Sequence, residues 1–122
     1  MSTKKTHKDL DVWKKSILLV TLIYDVTKGF PNEEMYGLTN QIRRSAVSVP
    51  SNIAEGSARK GNKEYVQFLY IGLGSLTELE TQLIIARNLK FLSDNDFDRI
   101  SEHLKEIGKM LLGLIRYVKG RK

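Results

Sequence analysis

Apolar residues recur at steps of three and four along almost the whole chain, and the strict alternation of a half-buried strand is absent. The pattern predicts four helices and an all-α fold. The first runs from about Lys8 to Lys28 and is stopped by Gly29-Phe30-Pro31, a glycine in the C′ role followed by a proline. The second runs from about Glu34 to Glu55 and ends at Gly56. The third opens at Asn62, read as an N-cap with Tyr65 at N3, and continues to about Leu89. Ser93 caps the fourth, where Asp94 and Asp96 suit the positive end of the helix dipole, and the pattern lasts to Val118. Short loops favour antiparallel neighbours, hence an up-down-up-down four-helix bundle in a single domain over residues 1–122, with residues 1–7 expected as a disordered basic tail.

The stripes differ between helices. In the fourth, Phe97, Ile100, Leu104, Ile107, Leu111, Leu114 and Val118 draw one narrow bundle-facing seam. In the third, Tyr65, Leu69, Leu76, Leu79 and Leu83 share a face, and Gly72 and Gly74 lie in the interior. Each glycine costs about 1 kcal/mol relative to alanine, so close helix approach is expected there as compensation. The first helix carries two stripes, Leu10, Trp13, Ile17, Val20 and Tyr24 beside Val12, Leu19, Ile23 and Val26. Two stripes need two partners, and in a domain this small the second is most economically another copy of the chain.

In the second helix Leu38, Ile42, Ala46, Val49 and Ile53 read as core, while Gln41, Arg44, Ser48, Ser51 or Asn52, Glu55 and Arg59 track a polar strip. Glu55 precedes Arg59 by four residues, the favourable order for an ion pair. Pro50 cannot donate to the Ala46 carbonyl, which predicts a kink, and Ser48, Ser51 and Asn52 are placed to serve the freed backbone groups. The strip can equally line a groove that meets phosphate or a partner chain. Arg43 and Arg44 point about 100° apart, so one is expected to pair with a carboxylate such as Glu55 and the other to stay free for a ligand.

A chain of 122 residues can bury roughly two thirds of the surface it exposes when unfolded, enough for one core. Lys and Arg number 20 against 14 Asp and Glu, a net charge of +6. The excess is clustered: Lys4, Lys5 and Lys8 at the start, then Arg43, Arg44, Arg59, Lys60 and Lys63, and finally Arg116, Lys119, Arg121 and Lys122 with no carboxylate among them. Such clusters fit a polyanion held through its phosphates, and they also fit a solubilising surface with cations at helix ends. Cysteine is absent, which removes disulfide frameworks and thiolate metal sites. The start of the chain lacks an apolar signal core and no apolar run has the length of a membrane span, so a cytoplasmic protein without membrane contact is expected.

No catalytic constellation emerges. His7 falls in the tail and His103 on the polar side of the fourth helix, neither beside an orienting partner. Asp94, Asp96 and Asp98 alternate as in a calcium loop, but the glycine and glutamate that complete one are missing. No phosphate loop or nucleophile elbow occurs, and no enzyme activity and no cofactor are expected. Tyr65, Phe68 and Tyr70 read as core and interface aromatics.

From Leu10 to about Leu92 the chain resembles the four-helix-bundle proteins encoded in intervening sequences of bacterial 23S rRNA genes. The residues that carry the resemblance are Leu10-Asp11-Val12-Trp13, Phe30-Pro31 with Glu34 and Tyr36-Gly37-Leu38, and above all the run from Gln41-Ile42-Arg43-Arg44 through Ser48-Val49-Pro50-Ser51-Asn52 to Glu55-Gly56. Phe68-Leu69, Gly74-Ser75-Leu76 and Glu78-Leu79-Glu80-Thr81-Gln82-Leu83 extend it. The resemblance implies an antiparallel bundle assembled as a barrel-like homopentamer, without enzymatic activity, with a basic surface suited to RNA or DNA. It also implies kinship with accessory proteins of diversity-generating retroelements, which partner a reverse transcriptase. Pro50, Ser48, Asn52, Glu55 and Gly56 stand as the structural motif. Arg43, Arg44, Arg59, Lys60, Lys63, Arg116, Lys119, Arg121 and Lys122 stand as the candidate nucleic-acid contacts.

Overall fold

The computed structural model describes residues 6–122. Four helices carry the fold: α1 Asp11–Thr27, α2 Leu38–Ser57, α3 Asn62–Asn88 and α4 Asp94–Lys119, with single 3-10 turns at His7–Asp9 and Asn32–Glu34 and no strand among the described residues. Each helix packs on two neighbours and none touches its diagonal partner, so the cross-section is a square around one core. Ser48 of α2 meets Ser75 of α3, and further along α2 Gly56 lies against Tyr65 and Phe68, so these two helices run in opposite directions. Contacts of Leu76 with Gly108, Tyr70 with Lys119 and Arg87 with Phe97 show the same reversal from α3 to α4.

The core is the sum of the apolar stripes. Leu19 and Ile23, then Ile42, Ala46, Val49 and Ile53, then Leu69, Leu79 and Leu83, then Ile100 and Leu111 are fully enclosed. On α4 the buried seam passes from Leu111 to Ile115 and Val118, with Leu114 only packed against its edge. Seven-residue steps fall behind a helix of 3.6 residues per turn, which brings Ile115 inward. On α1 the core face is Val12, Ser16, Leu19, Ile23 and Thr27; of the stripe that starts at Leu10, Leu10, Trp13 and Val20 pack against the core while Ile17 and Tyr24 stay exposed. Ser16 and Thr27 are buried without penalty because their hydroxyls donate to the carbonyls of Trp13 and Ile23, one turn back.

Several helix ends differ from expectation. The first helix does not begin at Lys8: Leu10 is extended, and His7–Asp9 form a separate 3-10 turn closed by a capping box between Thr6 and Asp9. His7, expected in a disordered tail, packs edge-on against Trp13 at 5.2 Å; the rest of that tail, residues 1–5 with Lys4 and Lys5, lies outside the described residues. The second helix begins at Leu38 rather than Glu34, because Glu34 instead ends the Asn32–Glu34 turn and its carboxylate accepts from the Leu38 N–H. Gly61, not Asn62, is the N-cap of α3, since the Asn62 side chain is taken by the end of α4. Ser93 caps α4 as expected, accepting from the Asp96 N–H.

α2 is a single unbroken helix across Pro50. Ser48, Ser51 and Asn52 do not serve the Ala46 carbonyl. Asn52 donates to the Ser48 carbonyl and hydroxyl, and Ser48 shares a 2.7 Å hydrogen bond with Ser75, a chain that ties α2 to α3. The two α3 glycines also differ from expectation. A Cβ on Gly72 would rest in ordinary contact at 3.6 Å from Asn52 and the Val49 carbonyl, and Gly74 faces open space, so close approach within this chain requires neither glycine; the tight position on this side is Gly56 of α2.

α3 ends in a Schellman motif, with the Phe91 N–H donating to the Ala86 carbonyl and the Lys90 N–H to that of Arg87. The left-handed position is held by Lys90, φ 69°, where glycine is the usual occupant. Lys90→Gly is expected to stabilise the fold by about 1 kcal/mol, read as a higher denaturation midpoint in urea at unchanged slope.

Candidate nucleic-acid interface

Three basic segments that are distant in sequence meet at one end of the bundle. α3 starts there, α4 ends there, and the turn before α1 folds across it. Asn62 fixes the junction: its amide donates to the Arg121 carbonyl at 3.0 Å, and the Arg121 guanidinium returns a 2.7 Å bond to the Asn62 oxygen. Lys60, Lys63 and Lys122 lie within two residues of that tie and are exposed. Lys119 reaches the Tyr70 hydroxyl at 3.2 Å, and Lys8 joins Arg121, Tyr65 and Tyr117 around a hollow of about 830 Å3.

Aromatic rings position the cations. Arg121 lies 5.4 Å from the Tyr65 ring centre, Lys119 5.3 Å from that of Tyr70, and Arg59 4.7 Å from that of Phe68. Burial pushes the Tyr65 hydroxyl above the ordinary tyrosine range, with Arg121 drawing it the other way, so near neutral pH the ring offsets none of the surrounding positive charge. Among the described residues Arg59 is the one member of this group held by a carboxylate, pairing with Glu55 at 2.8 Å in the spacing expected from the sequence. Arg116 stands one turn earlier on α4, exposed.

The remaining candidates do not join this end. Arg43 lies toward the start of α2, where it donates to Thr27 Oγ1 at 2.9 Å and stacks 4.6 Å over the Tyr24 ring. Arg44 faces a groove between α2 and α3. Neither pairs with Glu55 or with any other carboxylate among the described residues, because Arg59 already occupies Glu55 and the α1 surface gives Arg43 a hydroxyl and a ring instead. Tyr70, which the sequence presents as a core or interface aromatic, and Tyr117 gather around the cations, and helical spacing alone gives no signal of that grouping.

Among the described residues no group of His, Asp or Glu side chains is arranged to hold a metal ion, and no helix is long and apolar enough to cross a membrane. The architecture defines a class: an all-helical four-helix bundle with a cationic end. Residues 8–113 match the family model described as 23S rRNA-intervening sequence protein, and the chain belongs to that family. The match takes in most of α4, where the sequence showed periodicity alone. Among solved structures, the chain is similar to a protein of unknown function from the S23 ribosomal protein family of Bacteroides thetaiotaomicron VPI-5482, with 25% identity and a TM-score of 0.80 over 86% of this chain and 95% of that one. No curated protein matches it.

Proposed function

We propose that this protein is a non-catalytic, oligomeric module that binds nucleic acid, RNA in the first instance, through the phosphates. The observation that carries the reading is the convergence of Lys8, Lys60, Lys63, Lys119, Arg121 and Lys122 on one end of a small bundle, none of them paired with a carboxylate among the described residues. Neutralising phosphates releases condensed counterions, so binding of this kind tolerates any sequence and weakens steeply with salt. Assembly of copies would multiply the cationic ends available to one strand. Apolar surface left outside the core supports such assembly: Leu18 is 64% exposed and Ile71 53%. A homopentamer is the form implied by the resemblance to the family.

Fluorescence anisotropy with a labelled, structured RNA tests the reading. Affinity should fall by orders of magnitude between ~50 and ~200 mM salt and differ little between RNAs of unrelated sequence. Absence of binding at ~50 mM salt would refute it.

The same exposed aliphatic surface favours a second reading, a scaffold that docks a protein such as a reverse transcriptase. A partner recovered by pull-down and retained after nuclease treatment would support the scaffold, and recovery of nucleic acid alone would count against it.

A further inference from the structure

Away from the cationic end, α2 and α3 leave an open groove of about 450 Å3 whose nine lining residues are all polar. Two packed amphipathic helices ordinarily floor such a groove with aliphatic side chains, because an enclosed amide without a partner is costly. Here the lining includes Gln82, only 7% exposed, whose Oε1 is turned inward, closed to solvent, and has no hydrogen-bond donor among the described residues. Arg44 and Glu78 also line the groove, and neither belongs to the ion pairs among the described residues. At the groove, Tyr36 presents a ring that is 96% exposed.

With one cation and one anion the groove is close to neutral, so it is no second phosphate trap. Its chemistry fits a flat, neutral ligand with several donors and acceptors. We propose that the groove receives one unstacked nucleobase, with Tyr36 as the stacking platform and the Gln82 carboxamide, turned about its last side-chain torsion so that Oε1 leaves its unpartnered inward position and meets the groove, as the acceptor for a base N–H. The proposal rests on nucleic acid being the ligand of the cationic end, and adds to that phosphate grip a place where a base is read. Stacking on an aromatic ring combined with hydrogen bonds to the base edge is how single-stranded nucleic acid is recognised. Two unpartnered acceptors, Gln82 Oε1 and the Glu78 carboxylate, call for an edge with two adjacent donors. Guanine supplies them through N1–H and N2–H, and uracil does not. Asn40 and Gln41 complete the rim with carboxamides able to meet the acceptors of the base.

The test is a titration of 15N-labelled protein with guanosine monophosphate, uridine monophosphate, and two short single-stranded RNAs, oligouridine with and without one central guanosine. The readout is the side-chain amide signal of Gln82, which binding at the cationic end does not move. Guanosine monophosphate and the guanosine-containing strand should shift it and their uridine counterparts should not; a tighter strand than mononucleotide marks the base as delivered by a strand, and the reverse marks a free nucleotide. Tyr36→Ala should weaken the interaction about tenfold without changing the melting temperature, since its ring is exposed, and Gln82→Met should erase the preference for guanine. No shift at Gln82 with any ligand at millimolar concentration, or equal response to guanine and uracil, would overturn the proposal. Loss of Gln82 shifts with salt-sensitive RNA binding intact removes the base site and leaves the phosphate grip standing; Gln82 shifts without salt-sensitive RNA binding support the groove and remove the grip.

Discussion

Changing Lys119, Arg121 and Lys122 together to Gln is expected to lower affinity for a structured RNA on the order of 100-fold at ~50 mM salt and to flatten the salt dependence by up to about three units of slope. These residues close α4 where α3 begins, and the removal of their charges empties the half of the cationic end that has no carboxylate in its own segment. The matched control is Lys28, Lys105 and Lys109 changed to Gln, which removes the same charge from exposed positions elsewhere. If location matters, the control loses far less affinity. Equal losses in both variants would show that net charge alone, and not the convergence at one end, attracts the RNA. Glutamine at 121 keeps a donor for Asn62, so the melting temperature should move little, and its measurement separates lost binding from lost fold.

Gly56→Ala is expected to be the most damaging glycine-to-alanine change in this chain. The new Cβ would stand 2.8 Å from Phe68 Cβ, 2.9 Å from Tyr65 Cδ1 and 3.1 Å from the Tyr65 carbonyl oxygen. A Cβ and a backbone oxygen cannot swing aside, so α2 and α3 must part where they pack most closely. Overpacking of this kind costs about 1–3 kcal/mol and occasionally more. The better helix propensity of alanine returns less than about 1 kcal/mol, which leaves a net loss on the order of 2 kcal/mol in denaturant unfolding. Gly74→Ala, which meets nothing within 4 Å in the chain, is the contrast and should be neutral or stabilising for the isolated fold. A Gly56→Ala protein as stable as the parent would show that the α2–α3 contact is looser than described.

The bundle was legible in the sequence because each helix must bury one stripe, and most residues on the core stripes, among them Leu19, Ile23, Leu104 and Ile107, are enclosed, while Ile17 and Tyr24 stay exposed and Ile115 joins the core from outside its stripe. Boundaries were less legible where a side chain had a distant competitor. Asn62 reads as a cap from its neighbours alone, but Arg121, remote in sequence, takes both ends of its amide. Glu34 reads as a first-turn residue, yet it caps the helix from outside because the backbone at Gly37 is not helical. The polar strip of α2 was visible as a strip; that Ser48 and Asn52 use it to hold Ser75 depends on α3, which no spacing within α2 reveals.

The cationic site was half legible for the same reason. Clusters at Arg59 to Lys63 and Arg116 to Lys122 stand out by composition, and the antiparallel path of α3 and α4 brings the start of one beside the end of the other. Arg43 and Arg44 share the sign of charge but not the place, because α2 carries them toward the opposite end, and Arg43 is already engaged by Thr27 and Tyr24. Gln82 left a faint trace, the one polar residue on the buried stretch of α3 from Leu76 through Leu79 and Leu83 to Ala86.

Sedimentation velocity followed at 260 and 280 nm, with protein and a structured RNA together at ~50 mM and then ~300 mM salt, shows in one measurement whether copies assemble and whether the assembly holds RNA by its phosphates. The expected result is a protein particle several times the 13.9 kDa of one chain that carries the RNA at the lower salt and releases it at the higher. A single 13.9 kDa species that sediments apart from the RNA at both salts would contradict it.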